Sequence, residues 1–217
     1  MNKWEELISS GDETDGYLRT DEFEDVHASL TLLRGVLERI LEEPALWKWA
    51  VIAGHSALQG ACVCILTQTD GLGALTDKST RELTEKLYGE TDRGRKMDED
   101  SVAWPEERIA ELPELLKRLP GELKVSLPGR NARSYGYELP GDLRRLHEFR
   151  NKFTHFASIS WSIQIAGLPR IIGRAVDLTR RIVESDDDYS RFNHFQELGM
   201  KSLFADISDR IKSLERT

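Results

Sequence analysis

Cysteine is nearly absent from this chain. The 217 residues hold two, Cys62 and Cys64, one residue apart inside an apolar run. That spacing excludes a disulfide framework and fits a reducing compartment. A signal-peptide core is lacking too. The opening residues, MNKWEELISSGDETDG, are polar, and their acidity argues against a mitochondrial transit peptide. A cytoplasmic protein is therefore expected. Internal repeats and low-complexity linkers are missing, so residues 1–217 read as a single domain. No His, Cys, Asp or Glu cluster has zinc-ligand spacing, and no metal or cofactor is expected. Only one stretch, 45–66, is long enough to cross a membrane. It carries Lys48, His55, Ser56 and Gln59, polar groups that are costly at bilayer depth. A buried bundle helix is expected there, with no membrane partner.

What the chain does have is a charge asymmetry. Hydrophobic residues at 39% and charged residues at 31% place it among globular chains. The net charge of −8 argues weakly against nucleic-acid binding. However, residues 1–114 hold 12 Lys/Arg against 25 Asp/Glu, whereas residues 115–181 hold 13 against 5. A basic middle within an acidic chain can grip phosphate, or it can be a solvated face paired with the acidic region.

The hydrophobic periodicity predicts a mainly α fold, a bundle of about five main helices. The first spans 20–43, with Phe23, Val26, Leu30, Leu33, Leu37, Ile40 and Leu41 as its stripe. Pro44 suits the first turn of the next, which runs to about Thr67 and should lie near the bundle centre. Ser79-Thr80-Arg81-Glu82 has the form of a capping box opening a short helix to Tyr88. A helix is expected after Trp104-Pro105, limited or kinked by Pro113. Further helices are expected at 142–157, 167–184 and 189–214. Residues 158–165 alternate polar and apolar, as do 123–127, and the two could pair as a small two-stranded ribbon. The acidic segment 1–19 and the loop 89–104 read as decorations.

The sharpest chemical signal is Arg150-Asn151-Lys152-Phe153-Thr154-His155. On a helix at ~100° per residue, Phe153, Phe156 and Leu146 fall within about 60° of Phe149 and define a buried stripe. From Phe149, Arg150 lies at ~100°, Asn151 at ~200° and His155 at ~240°. Arg150 and His155 are thus too far apart to share one face. Histidine suits proton transfer near neutral pH, and arginine stabilises a charged phosphate in its transition state. Asparagine can orient either or bond a phosphate. Together they suit attack of a ribose 2′-hydroxyl on its own phosphodiester without a metal. That reaction needs a base and an acid, so one His155 per chain is one short, and a symmetric homodimer would supply two. An Arg-x4-His spacing arises by chance about 0.5 times in this composition, but with Asn directly after Arg the expectation falls to roughly 0.01.

Arg150-Asn151-x-x-x-His155, late in a helical domain, resembles the signature of the HEPN superfamily. The likeness extends to the apolar helix ALWKWAVIAGHSALQGACVCIL at 45–66 and to LHEFRNKFTHF at 146–156. The resemblance implies a helical bundle. It also implies a metal-independent endoribonuclease of toxin–antitoxin, defence or RNA-processing type, acting on RNA as a dimer with a composite site. Arg150 and His155 would then be catalytic, and Asn151 the polar residue following the arginine. An antitoxin protein is an expected partner. The same superfamily includes non-catalytic members, so an interaction module such as an antitoxin or adaptor is the alternative.

The other candidates are less specific. Arg130, Arg133 and Tyr135, with Tyr137, mix cations and rings in a way that suits single-stranded RNA, and a solvated loop has the same composition. Arg144 and Lys152 join them as RNA-binding candidates beside the motif. His55 and Gln59, four apart with Lys48 one heptad earlier, form either a polar stripe reaching the site or buried groups bonded to neighbouring helices. His147, three residues before Arg150, could help bind phosphate. Trp47, Trp49 and Trp161 read as core, and Cys62 and Cys64 as core packing.

Overall fold

The computed structural model describes residues 21–67, 71–88, 104–125, 139–155, 161–185 and 199–216. Asp21 opens the first helix, α1 (Glu22–Arg39). Its carboxylate accepts from the amides of Phe23 at 2.9 Å and Glu24 at 2.8 Å, satisfying donors that the helix start leaves free. Val26, Leu30, Leu33 and Leu37 form its buried stripe. Pro44 starts a 3-10 turn, Pro44–Leu46, that leads into α2 (Trp47–Leu66). Twelve of the twenty residues of α2 are buried, which fits its nearly uniform apolarity. By length and composition Pro44–Leu66 could cross a membrane, and 61% of its most apolar window is buried inside the bundle.

Three further long helices complete the bundle: α5 (Leu139–Thr154), α6 (Leu168–Glu184) and α7 (Met200–Leu214). Helix α2 packs against α1, α5 and α6, and against the short α4 (Leu112–Arg118). Helix α7 closes the far side on α1 and α6. Among the described residues this is the expected architecture of five main helices around 45–66, with two shorter helices added. The shared core runs from Leu30, Leu33 and Leu58 to Leu143, Leu146, Leu168 and Ile172.

Several local expectations are corrected. Among the described residues there is no strand. Gly121–Leu123 forms a 3-10 turn with Gly121 at φ +50° that takes in Leu123, and Lys124 and Val125 belong to no regular element. Residues 161–164 belong to no regular element, and Ile165–Gly167 makes a 3-10 turn feeding α6. Without a neighbouring ladder, alternation alone has no partner for its backbone groups. Pro113 opens α4 rather than limiting an earlier helix, as suits a residue whose missing N–H falls where the helix has no use for it. Helix α3 (Asp77–Tyr88) begins two residues before Ser79. Thr76 caps it, its Oγ1 accepting from the Ser79 amide at 3.3 Å.

Ser79 instead serves the tertiary structure. Its buried hydroxyl donates to the Glu106 carbonyl at 3.0 Å and accepts from the Arg108 amide at 3.2 Å. An isolated antiparallel bridge, Leu75 to Ile109, lies alongside. Arg118 reinforces it from α4, donating to the Leu75 carbonyl at 2.6 Å and to Asp77 at 2.8 Å. These ties fix the approach to α4, and with it Glu111, next to α5. The segment 1–19, most of the loop 89–104, Phe156, residues 126–127, 158–160 and 189–198 of the expected elements, and His194 lie outside the described residues.

Candidate functional site

Helix α5 carries the motif, and its buried face differs from the expected one. Asp142, Leu143 and Leu146 are buried and His147 nearly so, whereas Phe149 and Phe153 are only half-buried. The face turned to the bundle is therefore rotated by roughly 90° from the Phe149 stripe. Phe153 lies on the flank, its ring 4.9 Å from that of Trp161. The rotation turns Arg150 toward the interior and puts His147 and Asn151 on the edge of the packed face.

The consequence is a polar cluster between α5 and α2. His55, 2% exposed in the apolar helix, places its Nε2 3.2 Å from His147 Nδ1. The ring centroids are 5.4 Å apart and the planes inclined by 28°. At that centroid distance the two nitrogens lie near the line between the rings, which therefore meet edge to edge along a hydrogen bond and not face to face. His147 Nε2 lies 3.0 Å from Asn151 Nδ2, one turn on. Asn151 Oδ1 accepts from Arg150 Nη1 at 2.9 Å. Glu111, at the start of α4, reaches to 3.5 Å from His147 Nε2 and is itself largely exposed.

Electrostatics hold both histidines neutral. Burial first, then the Arg150 charge and His147, push His55 down to about 3. Burial also lowers His147, aided by Arg150 and opposed by the carboxylates of Glu111 and Glu148. A positive guanidinium beside two uncharged imidazoles is the electrostatic content of the cluster. The cation is the part of the cluster a ligand could meet, because the acceptor nitrogens of both imidazoles face partners within the cluster.

His155 is placed apart from Arg150. It is exposed at the C-terminal end of α5, its amide donating to the Asn151 carbonyl at 2.9 Å. His147, Asn151 and His155 recur every four residues along one ridge, while Arg150 lies off that ridge, ~140° around the axis from His155. Arg144 pairs with Glu148 at 2.7 Å. Lys152 Nζ sits 5.7 Å from the centre of the Trp161 ring. Gln59 is half-buried and makes no hydrogen bond to the cluster among the described residues. Lys48 lies over the Trp49 ring at 5.1 Å. Trp47 is core, as expected, but Trp49 is half-exposed. Arg130, Arg133, Tyr135 and Tyr137 lie outside the described residues.

Sequence reasoning missed Glu111 and underrated His147. The signal for His147 was available: it stands four residues before Asn151, the spacing that brings side chains together on a helix. Glu111 is brought in by tertiary packing alone. Burial pushes the Cys62 thiol up to about 12, which leaves no thiolate for chemistry near neutral pH. Among the described residues no three His, Cys, Asp or Glu side chains gather as metal ligands. Comparison of the chain with protein-family models, with curated proteins and with solved structures finds no match.

Proposed function

We propose that this chain is a metal-independent endoribonuclease of HEPN type, a toxin or defence effector acting in the cytoplasm as a homodimer. The observation that supports this reading most is the Arg150 guanidinium held by Asn151 at 2.9 Å, on the helix whose last residue, Thr154, is followed directly by His155. A fixed cation suits a phosphodiester whose charge grows in the transition state. An exposed histidine at the helix end suits proton transfer. In the reaction a base takes the proton of a ribose 2′-hydroxyl, and its oxygen attacks the adjacent phosphorus. The 5′-oxygen leaves with a proton from an acid, and a 2′,3′-cyclic phosphate remains. A two-fold axis near the end of α5 would bring two His155 residues to one phosphate, one for each proton transfer.

The test is cleavage of single-stranded RNA in EDTA with the purified wild type. The expected products carry a 2′,3′-cyclic phosphate on one fragment and a 5′-hydroxyl on the other. His155→Ala, at an exposed position, should abolish cleavage and change stability by no more than about 0.5 kcal/mol. Arg150→Ala should abolish it as well. Sedimentation across concentrations should give a dimer, tightened by a phosphate ligand that relieves the repulsion between the two Arg150 residues. A second reading, a non-catalytic interaction module such as an antitoxin or adaptor, draws on a different feature. A shallow groove of about 600 Å³ on α1 is lined by Ala28, Leu32, Val36 and Leu46, and Leu32 is 50% exposed. A wild type that cuts no RNA under any condition would favour that reading.

A further inference from the structure

We infer that Asn151, His147 and His55 form a hydrogen-bond chain with one proton direction, anchored in the core and ending on Arg150, so that His147 and His55 are positioning residues for that arginine. The purpose given to Arg150 rests on the ribonuclease reading; the chain itself rests on geometry.

The direction follows from what each group can do. A guanidinium only donates. Asn151 must therefore turn its oxygen toward Arg150 Nη1, 2.9 Å away. Its amide nitrogen, a donor, is then the atom 3.0 Å from His147 Nε2. That ring nitrogen has to accept, so it carries no proton. The single proton of a neutral His147 sits on Nδ1, and Nδ1–H faces His55 Nε2 at 3.2 Å. His55 Nε2 accepts in turn, which puts the His55 proton on Nδ1. Arg150 thus dictates the tautomer of a histidine two residues removed in the chain of bonds. Conversely, the buried imidazole pair fixes the amide that fixes the guanidinium. His55 supplies the rigidity: it is buried in the central helix, which packs against α1, α4, α5 and α6.

Protonation of His147 would break this order. Nε2–H would meet the Asn151 amide donor, and relief would require the amide to rotate and present its nitrogen to Arg150. The groups facing His147 are His55 from α2, Glu111 from the start of α4, and Glu148 and Arg150 from its own helix. Of these, Glu111 is placed to take up a proton-bearing Nε2, and so it competes with Asn151 for that nitrogen. The same exchange of partner is accessible by substitution. An aspartate at 151 has only acceptors. It would still receive Arg150, but it would call for a donor from His147.

The test begins with nitrogen-15 imidazole spectra of the unmodified full chain at pH 7.5. Both His55 and His147 should show a protonated Nδ1 and a bare Nε2. In Asn151→Asp, His147 should acquire a proton on Nε2, and its titration midpoint should rise by about one to three pH units. A wild-type His147 with Nε2–H, or an unchanged tautomer in Asn151→Asp, would overturn the chain. The positioning role is read on RNA cleavage with His147→Phe, which removes the acceptor but keeps the ring's bulk, and His147→Gln, whose oxygen can receive the Asn151 amide. Phe should lower kcat by about 10-fold or more with KM little changed, and Gln should restore some of it. Equal kcat in the wild type and His147→Phe would overturn the positioning role. If the wild type cleaves no RNA while the spectra are as expected, the ribonuclease reading fails and the proton chain stands.

Discussion

His55 should make this protein acid-labile in a defined window. Folded, it takes a proton only near pH 3; unfolded, near its ordinary 6.5. Between those values the unfolded chain binds more protons than the folded one. Stability therefore rises with pH across the window, is complete above 6.5, and is lost as pH falls toward 3. From pH 7 to pH 5, the penalty from this one residue is about 2 kcal/mol. For a domain of this size that is a fall in Tm of about 4–8 °C. His147 is shifted the same way and adds to the trend. The perturbation that isolates His55 is His55→Gln, which keeps an acceptor for His147 Nδ1–H but cannot titrate. Urea unfolding followed by far-ultraviolet circular dichroism at pH 7 and pH 5 measures both proteins. The wild type should lose about 2 kcal/mol more than the variant over that interval. Parallel losses would refute the reasoning, because they would mean that His55 binds its proton equally well in the folded core.

Two packing predictions follow from the same bundle. A methyl group at Gly54 would lie 3.5 Å from Ile172 Cγ2, an ordinary contact, so Gly54→Ala should stabilise by about 0.5–1 kcal/mol through helix propensity. At Gly60 the same methyl would lie 2.8 Å from Cγ2 of the buried Val26, so Gly60→Ala should cost about 1–3 kcal/mol as α1 is pushed from α2. Opposite Tm shifts in scanning calorimetry would bear this out, and shifts of the same sign would refute it. The third concerns Asp142, 1% exposed and paired with Arg170 at 3.1 Å. Arg170→Ala strips the counter-charge from a buried carboxylate and should cost about 3–5 kcal/mol in urea unfolding; a loss under about 1 kcal/mol would show that the pair carries no net weight.

Much of the fold was legible because its helices are amphipathic in the usual register. Val26, Leu30, Leu33 and Leu37 repeat at helical spacing and are all buried in α1. Pro44 marked a helix start correctly, and 45–66 was recognisable as a core helix from its composition alone. The errors lie where local pattern and tertiary context disagree. Alternation at 158–165 satisfies a strand's side-chain period, but a strand also needs a neighbour for its backbone, and the described part of the expected partner forms none: Leu123 closes the turn at Gly121, and Lys124 and Val125 belong to no regular element. Ser79 satisfies a capping pattern, yet its hydroxyl is spent on the backbone of Glu106 and Arg108, which are distant in sequence. Thr76 does the capping because it stands where the chain turns away from that bridge.

The site was legible in its composition and misjudged in its orientation, and the reason is physical. Taking Phe149 and Phe153 as the centre of the buried stripe assumes that the largest apolar rings point inward. Here they cover the flank, with Phe153 against Trp161, while smaller residues meet the neighbouring helices. The true stripe begins with Leu143 and Leu146 and continues as His147 and Arg150, at i, i+3, i+4 and i+7. Its first two members are apolar and its last two are polar, so an apolar count ends the stripe halfway along. A polar group in the register of a core stripe must find partners inside the protein, because water is excluded there. His147 finds His55, and Arg150 finds Asn151. A core register that turns polar within one helix, opposite a histidine buried in an otherwise apolar helix, is thus the sequence-level mark of this cluster. That mark joins His55 to the Arg150 motif across 95 residues, a link that spacing within the motif could never provide.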